Sequence, residues 1–178
     1  MTSVMNLYFI GIGSNVDYER NVLRILAALS SLTKLLHISS IIRTAPVGMK
    51  SKNEFLNLCV AIRSNISLEE LKNITNDIEI RLGRDRRDPF RRVKDRPADL
   101  DILLSIPMDK VGKMQNILVP KQLYSALPLL ELLQFLGYQY HDVVLSPFSY
   151  DTLKRVPLEF HGQIIGIQPI TIELFSQQ

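Results

Sequence analysis

The chain has 178 residues, of which 46% are hydrophobic, a length and composition that fit one domain with a buried core. Its formal net charge of +3 is mildly basic and suits an anionic small molecule as well as nucleic acid. The single cysteine, Cys59, excludes an intrachain disulfide and favours a cytoplasmic protein, and no apolar run is long enough to predict a membrane span.

The first part of the chain predicts two strands separated by a helix. Residues 5–12 are strand formers in a nearly continuous run, which is typical of a central strand. A tight turn at 13–15 follows, and its serine and asparagine are both residues that cap helices. Apolar residues at helical spacing then predict a helix from about 17 to 32, and residues 35–44 predict a second strand.

A third strand is predicted over 55–63, where the residues alternate between two faces. Phe55 and Asn57 share one of these faces. The pair is consistent with an edge phenylalanine beside a solvated amide. It is equally consistent with a stacking platform and a donor–acceptor group for a flat heterocycle. The residues alone leave both interpretations open.

A cationic loop follows the second predicted helix. That helix begins with a capping box at 67–70 and ends at Gly83, and Pro89 and Pro97 keep the next segment non-helical. Such a loop is either a solvated charged segment or a site for phosphate groups. The cationic residues in and beside it are Arg81, Arg84, Arg86, Arg87, Arg91, Arg92, Lys94 and Arg96.

The strand predicted after this loop has an acidic face. Its alternation predicts one face with Asp99, Asp101 and Leu103 and another with Leu100, Ile102 and Leu104. Two unpaired carboxylates about 6.5–7 Å apart along a strand repel each other unless a cation lies between them. Mg²⁺ takes one or two carboxylates together with substrate phosphates, so the pair beside a cationic loop predicts phosphoryl-type transfer. The alternative is an edge strand whose charges prevent aggregation.

The predicted order strand–helix–strand–strand–helix–strand makes an α+β, ferredoxin-like fold, an antiparallel sheet with both helices on one face. After residue 106 the pattern weakens, although 123–136 predicts a helix that includes Pro128 and 164–174 predicts one or two late strands. We therefore predict a single domain over 1–178. Its ferredoxin-like core covers about 5–106 and its C-terminal extension about 107–178.

Five short motifs occur in order along the predicted core. They are Gly11-x-Gly13-Ser14-Asn15, Arg43-Thr44-Ala45-Pro46-Val47-Gly48, Phe55-Leu56-Asn57, Glu79-x-x-x-Gly83-Arg84 and Arg96-x-x-Asp99-Leu100-Asp101-Ile102-Leu103. In combination they resemble the motifs of the 6-hydroxymethyl-7,8-dihydropterin pyrophosphokinases, a family of folate-pathway enzymes. The resemblance covers about residues 5–106.

The resemblance implies a substrate pair and a set of site residues. The terminal pyrophosphoryl unit of ATP would be transferred to the hydroxymethyl oxygen of the pterin, with release of AMP. Two Mg²⁺ ions would be held by Asp99 and Asp101, and Arg84 and Arg96 would be the catalytic arginines that contact the phosphates of ATP. The residues implied in pterin binding are Thr44, Ala45, Pro46, Val47, Phe55 and Asn57. Neither nucleic acid nor a membrane is expected as a partner.

The resemblance fails beyond Pro120. The family continues with a histidine, an arginine and a stacking aromatic residue, whereas this chain has Lys121 in place of the histidine and no arginine before Arg155. We assign Lys121 to ATP binding. Tyr124 is expected to lie too early in the chain to replace the aromatic ring, so that Leu129 would cover the pterin instead.

Two alternative functions stay open, and only the first of them follows from these departures. One is a catalytically silent relative that binds a pterin or a nucleotide. The other is a ferredoxin-like nucleic-acid-binding module that uses the cationic loop, although the aromatic-rich signature of RNA-recognition domains is absent from the sequence.

Overall fold

The computed structural model describes residues 4–113, 117–138 and 153–174. None of the helices in these ranges is both long and apolar enough to span a membrane. A 3₁₀-helix, Met108–Lys113, follows the fifth strand. The other elements are β1 (Asn6–Ser14), α1 (Tyr18–Ser30), β2 (Leu35–Ile38), β3 (Ile42–Thr44), β4 (Phe55–Ser64), α2 (Leu68–Arg81), β5 (Asp99–Pro107), α3 (Leu123–Phe135), β6 (Leu158–Phe160), β7 (Gln163–Ile165) and β8 (Ile170–Glu173).

The main sheet has the strand order β5-β1-β4-β2-β8, and β3 pairs with one end of β4. Each of these pairings is antiparallel. The first four strands in this order, together with α1 and α2, make the βαββαβ arrangement, so the predicted ferredoxin-like α+β fold is confirmed. β8 extends the sheet beyond β2, and β6 and β7 form a separate hairpin.

The single strand predicted over 35–44 is wrong, because the chain forms β2 and β3 with a break between them. Buried Ser39 and Ser40 occupy the break. The amide of Cys59 donates to Ser39 Oγ at 2.8 Å, and the amide of Ser40 donates to Glu131 Oε1 at 2.5 Å. The partner of Ser40 lies 91 residues away on α3, so the local strand pattern carried no information about this bond.

The two boundaries of α2 agree with the sequence prediction. Ser67 Oγ accepts a hydrogen bond from the amide of Glu70 at 3.1 Å, which satisfies one free donor of the first turn. Gly83 has a φ of 102°, a backbone conformation that a residue with a Cβ rarely adopts. The amide of Arg84 donates to the carbonyl of Glu79 at 3.0 Å, so this turn fixes the start of the cationic loop beside the end of the helix.

The late elements match the prediction in part. The helix predicted over 123–136 is α3, with Pro128 inside it, and β7 and β8 account for the late strands. β6 was not predicted. The amide of Val156 donates to the carbonyl of Ile41 at 2.9 Å, so the segment before β6 is attached to the chain between β2 and β3.

The sheet has a different helical cover on each face. Apolar residues of α1 and α2 pack on one face, which confirms that both predicted helices lie on the same side. On the other face α3 covers only part of the sheet. The buried residues between α3 and the sheet are Leu7, Phe9, Cys59, Ala61, Ile106, Leu129, Leu130, Leu132 and Leu133.

A bulge in β5 changes which residues face α3. Phe9 pairs with Leu104 and Ile10 pairs with Ile102, so Leu103 is an extra residue in the register. Leu103 and Leu104 both pack in the cluster under α3. The prediction that Leu104 shares a face with Leu100 and Ile102 is therefore wrong, because strict alternation does not anticipate an inserted residue.

Candidate active site

A cleft opens on the sheet face that α3 covers in part, next to the first turn of that helix. Strands β1, β4 and β5 form its floor, and the segment after β3 forms one wall. Its lining residues are Gly11, Ile12, Gly13, Thr44, Ala45, Val47, Met49, Phe55, Asn57, Leu58, Arg96, Asp99, Asp101, Tyr124 and Ser125. Carboxylate, guanidinium, amide and aromatic groups therefore meet in one cleft.

Gly13 makes room for the amide of Asn57 on the floor of the cleft. It pairs with Asn57 of β4 on one side and with Asp99 of β5 on the other. A Cβ at residue 13 would lie 2.9 Å from Asn57 Oδ1, a separation at which one of the two atoms must shift. A residue without a side chain at this position lets the amide and the carboxylate approach the central strand.

A buried hydrogen bond orients the amide at the polar end of the cleft. Asn57 is 6% exposed, and its Nδ2 donates to Thr44 Oγ1 at 2.7 Å. Phe55 lies two residues earlier on the same strand and lines the same cleft, as its predicted face requires. An amide edge and an aromatic ring are therefore presented together, the arrangement that binds a flat heterocycle.

The segment after β3 supplies a second part of the predicted pterin site. Thr44, Ala45 and Val47 line the cleft, whereas Pro46 is not among the lining residues. Val47 is 67% exposed, so this wall presents an apolar side chain to solvent at the mouth of the cleft.

Two arginines clamp Asp99. Arg84 Nη1 donates to Asp99 Oδ1 at 2.5 Å and Arg96 Nη1 donates to Asp99 Oδ2 at 2.7 Å. Arg96 also lies over the ring of Phe55, with its guanidinium carbon 5.8 Å from the ring centroid. Asp99 is therefore paired, in contrast to the expectation of two unpaired carboxylates on this strand.

Glu79 bonds one of these two arginines. It occurs in one of the sequence motifs, but no role was predicted for it. Its side chain is 1% exposed, accepts from Arg84 at 2.8 Å and from the amide of Leu100 at 2.8 Å, and bonds Arg86 as well. Burial raises the pKa of Glu79, and the bond to the amide of Leu100 and the arginines oppose that effect. A detectable signal exists, since residue 79 lies four residues after Thr75 on the buried stripe of α2.

Asp101 differs from Asp99 in having no ion pair within 4.0 Å among the described residues. Although Asp101 is exposed to solvent, desolvation by the surrounding cleft raises its pKa, and the like charge of Asp99 raises it further. Arg84 and Arg96 act in the opposite direction through their positive charge. A cation bound near Asp101 would therefore stabilise its ionised form.

The donor chemistry of this carboxylate pair fits Mg²⁺. Within the described ranges no group of three or more Asp, Glu, His or Cys residues converges, so the protein offers two carboxylates rather than a closed cage. Mg²⁺ is usually bound by one or two carboxylates, with waters and substrate phosphates completing its shell. Asp99 and Asp101 satisfy that requirement if a phosphate-bearing ligand brings the remaining oxygens.

Tyr124 lines the cleft, so the expectation that it lies too early to reach the site is wrong. Burial raises the pKa of Tyr124, and the negative charge of Asp99 raises it further. Leu129, the residue expected to cover the ring, is instead 0% exposed in the cluster beneath α3. The position of the helix start depends on how α3 packs on the sheet, which residue spacing does not reveal.

The remaining predicted residue, Lys121, is exposed and is not among the residues that line the cleft. Arg84 is also absent from the lining but reaches the cleft through its bond to Asp99. Of the sequence-predicted residues, the structure therefore brings together all except Pro46, Lys121 and Leu129.

Known proteins similar to this chain share one description. A family model described as 7,8-dihydro-6-hydroxymethylpterin-pyrophosphokinase matches residues 9–128. A 2-amino-4-hydroxy-6-hydroxymethyldihydropteridine pyrophosphokinase of Porphyromonas gingivalis is 34% identical over 125 residues, which cover 68% of this chain and 84% of the relative. Proteins with the same name are 35% identical over 136 residues in Bacillus subtilis and 26% identical over 132 residues in Aquifex aeolicus. These two matches each cover 72% of this chain, with 79% and 81% of the respective relatives.

Proposed function

The chain belongs to the 7,8-dihydro-6-hydroxymethylpterin-pyrophosphokinase family, and from that premise we propose how its cleft performs the family's reaction. The enzyme transfers pyrophosphate from ATP to hydroxymethyldihydropterin, a step of folate biosynthesis. ATP is therefore the co-substrate. The assignments of individual residues, of magnesium and of the two binding subsites are the content of the proposal.

We propose that Asp99 and Asp101 hold two Mg²⁺ ions together with the phosphates of ATP. Both carboxylates lie on one face of β5 and line the cleft, and Asp101 has no cationic partner within 4.0 Å among the described residues. When bound, magnesium would neutralise phosphate charge and polarise the phosphorus that is attacked. The donor set supports one or two ions equally, and the number two comes from the family resemblance.

We propose that Arg84 and Arg96 change partners when ATP binds. In the structure both donate to Asp99 at 2.5–2.7 Å, which keeps cationic groups and a potential metal ligand paired in the cleft. A bound cation would take over Asp99 and leave the guanidinium groups available for phosphate oxygens. Because bidentate arginine–phosphate bonds are directional, the same side chains would then orient the transferred group.

The proposed pterin subsite lies between the amide of Asn57 and the ring of Phe55. The amide is oriented by its bond to Thr44 Oγ1, so it presents a defined donor or acceptor to the edge of a ring. Phe55 supplies an aromatic face on the same side of β4. Ala45 and Val47 would bound the ring on the wall formed by the segment after β3.

We further propose that Tyr124 provides the second aromatic face. It lines the same cleft as Phe55, from the start of α3, and the family resemblance leaves a stacking ring unaccounted for in this part of the chain. A pterin held between two rings gains about 0.5–1.5 kcal/mol per stack beyond its burial. Lys121, three residues earlier and exposed, would contact ATP only at the outer edge of the site.

The observation that carries the proposal is the convergence of Asp99, Asp101 and Arg96 with Phe55 and Asn57 in one cleft. Charged groups for a triphosphate and flat, polar groups for a heterocycle lie side by side, as direct transfer between two bound substrates requires. The single free cysteine is buried, which supports a reducing compartment such as the cytoplasm. We propose small-molecule substrates alone, without nucleic acid.

The test is an assay of products with ATP, Mg²⁺ and 6-hydroxymethyl-7,8-dihydropterin. Attack at the β-phosphorus of ATP breaks the bond to the α-phosphate oxygen and releases AMP, so AMP and the diphosphorylated pterin are expected in equal amounts. Omission of the divalent cation should stop the reaction. Stoichiometric ADP with a monophosphorylated pterin, or turnover that persists in excess chelator, would contradict the proposal.

A further inference from the structure

Three loops converge on the carboxylate of Asp95, outside the groups that line the cleft. Asn15 Nδ2, after β1, donates to Asp95 Oδ1 at 2.7 Å. Ser51 Oγ and Asn53 Nδ2, both between β3 and β4, donate to Asp95 at 2.5 and 2.6 Å. The cationic loop between α2 and β5 is therefore tied to two other loops through one side chain.

Asp95 differs from the other two carboxylates of its loop. Asp85 accepts from the amide of Arg87, and Asp88 accepts from the amide of Phe90 and bonds Lys94, so both are satisfied within the loop. Asp95 instead bonds neutral donors on other segments, although the loop around it is rich in cations. The hydrogen bond from Ser51, followed by those from Asn15 and Asn53, lowers the pKa of Asp95, which keeps the acceptor ionised.

The residue after Asp95 is the arginine of the cleft, and its backbone is also fixed. The amide of Arg96 donates to Asn15 Oδ1 at 2.7 Å, and the amide of Asn15 donates to the carbonyl of Arg96 at 3.0 Å. Asn15 is 2% exposed, so this pairing is buried. Asn15 therefore bonds both the side chain of Asp95 and the backbone of Arg96.

The loop on the other side of Asp95 carries the proposed pterin wall. Ser51 and Asn53 lie between the wall residues at 44–47 and the stacking residue Phe55. The amide of Asn53 also donates to Ser51 Oγ at 3.0 Å, which makes this part of the loop a compact turn that bonds Asp95 as a unit. One carboxylate thus links the pterin wall to the arginine that faces the phosphates.

We propose that Asp95 is a positioning residue whose bonds to Ser51, Asn53 and Asn15 couple the pterin-binding loop to the placement of Arg96. The inference rests on the proposed assignment of the two subsites. Binding of either substrate restricts the motion of one loop. Because both loops bond the carboxylate of Asp95, the motion of the other loop is restricted as well. Each substrate then binds more tightly in the presence of the other, as reciprocal linkage requires.

The first test uses the free protein and needs no substrate. Hydrogen exchange of the backbone amides in residues 48–54 should be about tenfold faster in Asp95→Ala, because the loop loses its link to the cationic loop. Asp88→Ala is the matched control, since it removes the same charge from the same loop but breaks bonds that stay within it. Unchanged exchange in residues 48–54 of Asp95→Ala would overturn the proposal.

The second test measures coupling between the substrates. The dissociation constant of 6-hydroxymethylpterin is determined with and without Mg²⁺ and an ATP analogue that has a methylene between its α- and β-phosphorus atoms. We expect the analogue to tighten pterin binding by about fivefold or more in the parent and in Asp88→Ala, and by less than about twofold in Asp95→Ala. Equal coupling in Asp95→Ala and the parent would overturn the proposal.

A second variant tests the same link in case Asp95→Ala does not fold. Asn53→Ala removes one exposed donor to the same carboxylate, so it should reduce the coupling in part without affecting the fold. Combined with Asp95→Ala, it should add no further loss, because both changes break the same link. If the parent protein binds neither the pterin nor the ATP analogue, the assigned subsites are wrong. That result differs from one in which both ligands bind but the coupling does not depend on Asp95.

Discussion

On the sheet face under α3, β1 presents Leu7 and Phe9 to the helix and then Gly11 and Gly13 to the cleft. The neighbouring strands change in the same way. β4 has Ala61 and Cys59 under the helix but Asn57 and Phe55 in the cleft, and β5 has Ile106 under the helix but Asp101 and Asp99 in the cleft. We refer to these two regions as the covered half and the open half.

The change occurs at neighbouring positions of the three strands, and on β4 it comes two residues further along the sheet than on β1 and β5. Gly11 pairs with Cys59 and with Asp101, and the bulge at Leu103 lies next to that position. The Cδ1 atom of Leu103 lies 3.2 Å from where a Cβ of residue 11 would be, so the last apolar side chain ends at the boundary. One sheet face therefore carries a region packed under α3 and, beside it, the region to which we assign the chemistry.

The largest effect should come from the open half. Asp101→Ala removes a proposed metal ligand that has no ion-pair partner within 4.0 Å among the described residues. We expect AMP formation to fall by about a thousandfold or more, about 4 kcal/mol in the barrier, because uncompensated phosphate charge costs several kcal/mol. The free energy of unfolding, measured in urea, should change by less than about 0.5 kcal/mol.

The control for this prediction is Asp88→Ala, which removes a carboxylate of the cationic loop that bonds Lys94 outside the cleft. It should lower turnover by less than about threefold, since exposed ion pairs contribute little. Equal losses of turnover in the two variants would mean that general charge, rather than the carboxylate in the cleft, determines the rate.

A substitution in the covered half should lower stability and leave turnover nearly unchanged. Leu129 is 0% exposed between α3 and the sheet, so Leu129→Ala leaves a cavity and should lower the free energy of unfolding by about 3 kcal/mol. At a temperature where the variant is folded, kcat for AMP formation should stay within about threefold of the parent. A large loss of kcat in a stably folded variant would show that the covered half and the open half are not energetically separate.

Within the open half, two glycines should differ in how well they tolerate substitution by alanine. A Cβ at Gly13 would meet Asn57 Oδ1 at 2.9 Å, whereas a Cβ at Gly11 would meet the flexible end of Leu103 at 3.2 Å. Gly13→Ala should displace the amide and weaken pterin binding about tenfold, about 1.4 kcal/mol. Gly11→Ala is the matched control and should change the dissociation constant by less than about threefold. The reverse order would contradict the proposed role of the amide.

The residues of the open half were largely predictable from the sequence, because they lie close together along the chain. Asp99 and Asp101 share a face through simple alternation, and so do Phe55 and Asn57. A strand places such pairs together without help from the rest of the fold. The ferredoxin-like order of helices and strands followed from the same local patterns.

The features that sequence reasoning missed depend on distant contacts. The break between β2 and β3 is stabilised by Glu131 of α3, and the position of Tyr124 depends on where that helix begins. The arginine clamp on Asp99 requires the end of α2 to meet the start of β5. Each of these contacts joins segments whose separation in space no local pattern specifies.

The smallest effect should come from His37 of β2, which points to the same sheet face beyond Ala61, its partner in β4. Its side chain is buried, with Nδ1 2.8 Å from Thr171 Oγ1, and Nε2 has no hydrogen-bond partner among the described residues. Burial lowers the pKa of His37 below the ordinary value of 6.5, and the positive charge of Arg63 lowers it further.

The sign of the resulting pH dependence follows from which state binds the proton first. As the pH falls through about 6.5, the unfolded chain protonates this histidine before the folded protein does, so the free energy of unfolding decreases until the lower folded pKa is passed. His37→Gln should flatten that part of the pH–stability curve, measured by urea unfolding between about pH 5 and 7.5. His161→Asn, in the exposed turn between β6 and β7, is the control and should keep the slope. An unchanged slope in His37→Gln would assign the acid sensitivity to other groups, and a parallel change in pterin binding would show that this part of the sheet face is not separate from the site.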